Sequence, residues 1–176
     1  YYPNETDNYT EHHVQLNYAH NITQRFSISN TFHLTKGDGY YENYKEKSAG
    51  DYIVRRSMDN IYAALSSVAR WEIPEVPNNA KRRHSEILLG LNYAYYSGYH
   101  FGLMTYELEQ PDFTNAQEYY RNLGNKNDFS TFLKGNFELP LGADPDNFLK
   151  FFGDMQYRHI NMMLEGPDND GALLDH

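Results

Sequence analysis

Tyrosines, with a few histidines beside them, are the residues of this chain with the most chemistry to offer. Of 176 residues, 17 are Tyr and 10 are Phe, against a single Trp. A phenol presents a flat stacking face and one hydroxyl at low conformational cost, which suits a sugar ring or a flat chelate. The aromatics concentrate in GDGYYENYKE (37–46), YYSGYHFG (95–102), LMTYEL (103–108) and EYYRNL (118–123). Tyr44, Tyr99, His100, Tyr106, Tyr119 and Tyr120 are the candidate ligand-binding residues.

Other chemistries fit less well. Glu11-His12-His13 invites a metal, but adjacent strand residues point to opposite faces and cannot easily chelate together, so no metal site is expected. Lys81-Arg82-Arg83-His84 is the one basic run and reads as a turn flank, with lipid phosphate as a contact it could make. Asp168-Asn169-Asp170-Gly171 fails the calcium-loop pattern because residue 166 is Gly. Glu107, Glu109, Asp112, Glu118, Glu165 and Asp168 read as acidic, solvated loop residues. The sequons at Asn4, Asn8 and Asn21 are short enough to arise by chance. No HExxH, GxSxG or phosphate-binding loop occurs, so the expectation is a protein that is not an enzyme and uses no cofactor. A formal charge of −9 argues against a broad nucleic-acid contact. With no cysteine, a disulfide framework or thiolate zinc site is excluded.

The elements that must hold these residues are strands. In HHVQLNYAH, Val14, Leu16 and Tyr18 alternate with His13, Gln15 and Asn17. In RFSISNTFHLTK, Phe26, Ile28, Phe32 and Leu34 do the same, with Asn30 the one break. The alternation returns at Ile87–Tyr95, Phe129–Leu139 and Leu149–Tyr157. The stretch 52–72 carries an Ala-Ala-Leu-Ser-Ser run that could pass for helix, but its Arg55-Arg56 pair suits a strand better. The expected strands are 10–20, 25–36, 52–72, 84–97, 127–139 and 147–160, so the fold class is all-β, an antiparallel meander of about six long strands.

Connections are expected to alternate in length. Short ones are expected near 21–24, 74–80 and 140–146, and long ones near 37–51, 98–126 and from 161. Gly37 and Gly39 mark where the second strand should leave the sheet. Short turns at one end, long loops at the other and strands of ten or more residues are the layout of a transmembrane β-barrel. A run of eighteen apolar residues, as a membrane helix needs, is absent, which leaves a barrel open. Known single-chain barrels start at eight strands, so residues 1–176 are expected to form part of a larger barrel wall. Tyr40, Tyr41, Tyr95 and Tyr96, nearest the strand ends, are then candidates for the aromatic girdle at the membrane interface.

The segment TDNYTEHHVQLNYAHNITQRFSISNTFHLTKGDGYYENYKE resembles part of the β-barrel of TonB-dependent outer-membrane receptors of the Bacteroidetes type. EYYRNLGNKNDFSTFLKGNFEL, FFGDMQYRHIN and YYSGYHFG are similar to other strands of that barrel. The resemblance implies a 22-stranded barrel plugged by an N-terminal domain that this sequence does not contain. It implies location in the bacterial outer membrane and active uptake of a scarce ligand: a siderophore, vitamin, peptide or glycan. Implied partners are outer-membrane lipid and lipopolysaccharide, the plug of the same protein, and TonB through the N-terminal part. The alternative is a soluble all-β carbohydrate-binding module, whose apolar faces would pack against a second layer.

Overall fold

The computed structural model describes Tyr2 and residues 5–74, 85–142 and 147–175. Among these there is no helix. Seven strands form one antiparallel sheet in sequence order: β1 (Asp7–Asn21), β2 (Phe26–Lys45), β3 (Tyr52–Glu72), β4 (Glu86–Thr105), β5 (Gln117–Pro140), β6 (Phe148–Pro167) and β7 (Leu173–Asp175). The meander expected from the alternation is present, with a short seventh strand added. The Ala-Ala-Leu-Ser-Ser run lies inside β3. All substantial contacts between strands run between neighbours in this order.

Register makes the sheet two-faced. Residues directly opposite one another share a face, and successive residues alternate faces. Leu16, Phe32, Leu65, Tyr93, Phe129 and His159 lie opposite one another in turn across β1 to β6. One step along the same face, the row reads Tyr18, Asn30, Ser67, Leu91, Thr131 and Tyr157. The next holds His20, Ile28, Ala69, Leu89, Leu133 and Met155. Together with Val14, Leu34 and Tyr95 above and Trp71, Phe137 and Phe151 below, these rows form one apolar band. Asn30, the break in the pattern, accepts a hydrogen bond from Ser67 Oγ at 2.7 Å, so its amide oxygen is satisfied within the band. Among the described residues no second layer covers it: Leu16 is 64% exposed, Met155 70% and Leu65 48%.

The opposite face is polar. One row runs Gln15, His33, Ala64, Ala94 and Asp128, and the next Asn17, Thr31, Ser66, Asn92, Ser130 and Arg158. Cross-strand ties hold it together. Arg158 pairs with Asp128 at 2.5 Å, Arg70 with Glu86 at 2.7 Å and Lys150 with Glu138 at 2.8 Å.

Two sequence expectations are corrected. GDGYYENYKE is not a turn and loop: β2 runs unbroken to Lys45, and its pairing with β3 is regular through Gly37, Asp38 and Gly39. The strict alternation of short and long connections also fails. The connections 46–51, 106–116 and 168–172 at one end are no longer, as a group, than 22–25, 73–85 and 141–147 at the other. Residues assigned to long loops prolong the strands instead, since tyrosine favours extended backbone. The real asymmetry lies in the strands. The apolar band sits flush with the end where β2 and β4 begin, and the strands project roughly ten residues, ~33 Å, past it at the other end.

At the projecting end, 106–116 and Tyr2 return over the apolar-face side. Ile53, fully buried, packs there with Tyr2 and Phe113, flanked by Tyr44, Leu103 and Ala116. Buried Glu42 accepts hydrogen bonds from Tyr2 OH at 2.9 Å and Arg55 Nη2 at 2.5 Å.

Glycines inside the strands separate by what lies over them. A Cβ at Gly39 would stand 2.5 Å from the Asn8 carbonyl oxygen and 2.6 Å from the Tyr9 ring, whereas one at Gly153 would meet nothing within 4 Å. Gly39→Ala should therefore cost about 1–3 kcal/mol in urea unfolding, and Gly153→Ala should stay within about 0.5 kcal/mol of the parent. Equal effects would contradict this packing.

Candidate functional site

The projecting strands carry an aromatic site on the polar face. Three rows build it. Tyr9, Gly39, Met58, His100 and Asn122 face each other in one row. Glu11, Gly37, Asn60, Gly98 and Gly124 form the row below. Asp7, Tyr41, Arg56, Gly102 and Tyr120 form the row above. The glycines leave a floor without side chains, and large rings lie across it. Tyr9 covers Gly37 and Gly39, and Tyr96 reaches over Gly98. A glycine in a strand interior weakens the strand, and an aromatic laid across it restores packing.

The register of β4 and β5 shifts between Gly102 and Leu103. Gly102 pairs with Tyr120 and Leu103 with Glu118, so Tyr119 is the extra residue of a bulge. Consecutive strand residues normally diverge, yet both Tyr119 and Tyr120 rings close over Gly102. Their centroids stand 5.0 Å apart in an edge-to-face arrangement. Burial pushes the Tyr120 phenol above its ordinary pKa.

Arg56 sits at the centre of this site. Its Nη1 donates to Tyr41 OH at 3.0 Å and its Nη2 to Asn169 Oδ1 at 3.1 Å. Tyr119 OH donates to the same Asn169 oxygen at 3.3 Å, tying the turn at 168–172 to the sheet. Tyr96 OH and His100 Nε2 are 3.4 Å apart on the same face. A pocket of about 220 Å³ lies here, lined by Tyr9, Tyr41, Arg56, Met58, His100 and Tyr120 among others. A larger pocket of about 750 Å³ lies on the other face, beside Glu42 and Arg55. Its central charges already satisfy each other, so the smaller one is the better candidate.

The structure redistributes the residues singled out from sequence. His100, Tyr119 and Tyr120 come together in the site; none lies in an outer loop, for all three are strand residues. Tyr41 and Tyr96, expected at a membrane girdle, join them on the polar face. Tyr44 and Tyr99 do not. Both belong to the opposite face; Tyr44 OH is held by Asp51, and Tyr99 lies 5.8 Å from the Arg121 guanidinium. Tyr106 is in the 106–116 connection, 6.0 Å from the Tyr52 ring. Tyr40 and Tyr95 share the apolar-face parity. Tyr40 stands beyond the band, 4.1 Å from the Arg55 guanidinium, and Tyr95 at the band's upper edge.

Arg56 and Tyr9 were not singled out from sequence, and Asn169 entered there only as part of the failed calcium-loop pattern. Arg56 was visible only as half of an arginine pair, and the β2–β3 register was needed to put it beside Tyr41. His13 and His12 diverge as expected, but His13 meets His33: their Nδ1 and Nε2 are 3.4 Å apart, with Thr35 Oγ1 3.0 Å from each. Among the described residues no three His, Cys, Asp or Glu converge on a metal-sized site. The basic run 81–84 and most of the turn 74–80 lie outside the described residues. The acidic residues do not gather: Glu118 pairs with Arg121 at 2.6 Å, and Asp112 accepts from Thr114 N at 2.8 Å.

The hydrogen bond to Asp51 is the main cause that pushes the Tyr44 pKa up to about 12. A raised folded-state pKa means the tie stabilises fully below Tyr's ordinary pKa of about 10. That stability is lost as pH rises through about 12. The absorbance titration of wild type minus Tyr44→Phe should thus show one phenol with a midpoint near pH 12 rather than 10. No protein-family model matches the chain, and neither a curated protein nor a solved structure matches it.

Proposed function

We propose that the chain forms a section of the wall of an outer-membrane β-barrel, within a receptor of the TonB-dependent type that takes up a scarce ligand. The observation that carries this reading is the apolar band, continuous across six strands and left uncovered by the described residues. A half-exposed Leu or Phe forgoes on the order of 1 kcal/mol relative to full burial. More than a dozen such residues on one face approach the entire net stability of a domain, about 5–15 kcal/mol. Such a face needs a cover, and its height fits lipid. The band spans 26–34 on β2 and 87–95 on β4, and a tilted strand crosses a bilayer in about 9–11 residues.

The resemblance of the strand sequences to TonB-dependent receptors supplies the family. On this reading the polar face lines the lumen and meets the plug. The projecting strands stand outside the cell and hold the Arg56 site. Tyr95 belongs to the upper girdle, and Phe26, Trp71, Phe137 and Phe151 to the lower. Tyr41 and Tyr96 face the lumen. The role is transport, not catalysis. The exposed outer edge of β1, all of whose residues are exposed, pairs with the preceding strand of the full barrel. A soluble carbohydrate-binding module would need a second layer over the band, and the described residues supply none.

Two measurements test this. The protein expressed with its natural flanking sequence should fractionate with outer membranes; recovery in the periplasm or cytoplasm would sink the proposal. In the folded barrel, Leu91→Arg at the middle of the band should cost about 2–4 kcal/mol, whereas Asn92→Arg on the other face should be tolerated.

A further inference from the structure

The uncompensated cation of the outer site points to the class of ligand. Five arginines lie within the described strands. Arg55 pairs with Glu42 at 2.5 Å, Arg70 with Glu86 at 2.7 Å, Arg121 with Glu118 at 2.6 Å and Arg158 with Asp128 at 2.5 Å. Arg56 alone among them pairs with no carboxylate. Its neighbours are neutral oxygens: the Tyr41 phenol, the Asn169 amide and the Tyr119 phenol beside it. Its Nε is buried and has no partner. Asp7 lines the same pocket but makes no ion pair with it. Hydrogen bonding to Tyr41 and Tyr119 holds the guanidinium above its ordinary pKa, so the charge persists.

A half-buried cation ringed by neutral acceptors is costly to maintain, and a bound anion relieves that cost. A guanidinium fork matches carboxylate and sulfate geometry. The surrounding walls are ring faces: Tyr41, Tyr120, the bulged Tyr119 and Tyr9. A volume of about 220 Å³ suits a single ring, below the roughly 300–1,000 Å³ of pockets that take drug-sized ligands. We propose that this pocket binds an acidic sugar, with Arg56 holding its carboxylate or sulfate and the tyrosine rings flanking its body. The proposal rests on the barrel reading only in taking the projecting end as open to the outside.

The test uses the full-length receptor in detergent and isothermal titration with five probes. These are trigalacturonic acid, its methyl ester, galactose 6-sulfate, maltotriose and citrate. The acidic sugars should bind about tenfold or more tightly than the methyl ester, maltotriose or citrate, and the two acids separate carboxylate from sulfate as the anion. Arg56→Gln should abolish that preference, while Arg56→Lys should keep part of it, since the charge stays and the fork is lost. Electrophoretic mobility before and after heating checks that each variant is folded. Equal affinity for acidic and neutral sugars, or a folded Arg56→Gln that still prefers the acid, would overturn the proposal. So would no binding of either acidic sugar, and citrate binding as tightly would remove the ring from the argument. Recovery of the receptor in a soluble fraction would instead defeat the barrel reading and leave the binding contrast intact.

Discussion

Cross-strand parity governs this sheet. Every residue of one parity in β1 faces the same side as its partners in β2 through β6, and a slip of one residue in any pair would invert a whole strand. The apolar band makes such a slip expensive, because it would carry Leu89, Leu91 and Tyr93 to the side of Asn92 and Ser130. Polar ties enforce the same register from the other face. Arg158 reaches Asp128, Arg70 reaches Glu86, and Thr31 donates to Asn17 at 2.9 Å, each only in the observed pairing. Band and ties agree at each strand, so a sheet one layer thick acquires a defined face without a second layer to instruct it.

Above the band the same parity holds, but the demands change. There the apolar-face side becomes ionic, with Lys36 on Asp59 and Arg55 on Glu42, and the 106–116 connection folds over it. The polar face becomes aromatic. Large rings fit there because Gly37, Gly39, Gly98 and Gly102 remove the side chains they would strike. The bulge at Tyr119 adds what alternation cannot, two neighbouring rings on one side. Glycine and bulge each weaken a ladder locally. Their concentration in one patch, rather than along the strands, is the pattern of a site placed on a rigid scaffold.

What was legible in the sequence followed from period two. The strands through 10–20 and 25–36 and the apolar face holding Val14, Leu16, Phe26 and Ile28 were present in the alternation, whereas 52–72 was read as a strand from its Arg55-Arg56 pair against a helix-like run. The strand ends were not. Gly-Asp-Gly carries the composition of a turn, and only pairing with Asn60, Asp59 and Met58 makes it a strand. The site was half legible. Residue type marked His100, Tyr119 and Tyr120, but face assignment needs register, and register is a property of two strands at once. For that reason Tyr44 and Tyr99 were placed in the site and Tyr41 and Tyr96 outside it. The bulge left no local signal, because nothing in Glu118-Tyr119-Tyr120 distinguishes a bulged tyrosine from a paired one.

Arg55 and Arg56 show the effect of face in two adjacent residues. Their covalent chemistry is identical and their backbones are continuous, so every difference between them comes from the face each occupies. Arg55 is half-buried, paired with the buried Glu42, and lies 3.9 Å from the Phe113 ring, where a charge pair is neutral overall and holds a loop to the sheet. Arg56 meets phenols and an amide, which accept its hydrogen bonds and leave its charge whole. An interior that needed only structure would be served by the first arrangement on both sides, since a lone charge contributes less than a paired one where water is partly excluded. Keeping the second arrangement at the floor of an aromatic pocket makes physical sense when the missing anion arrives from outside.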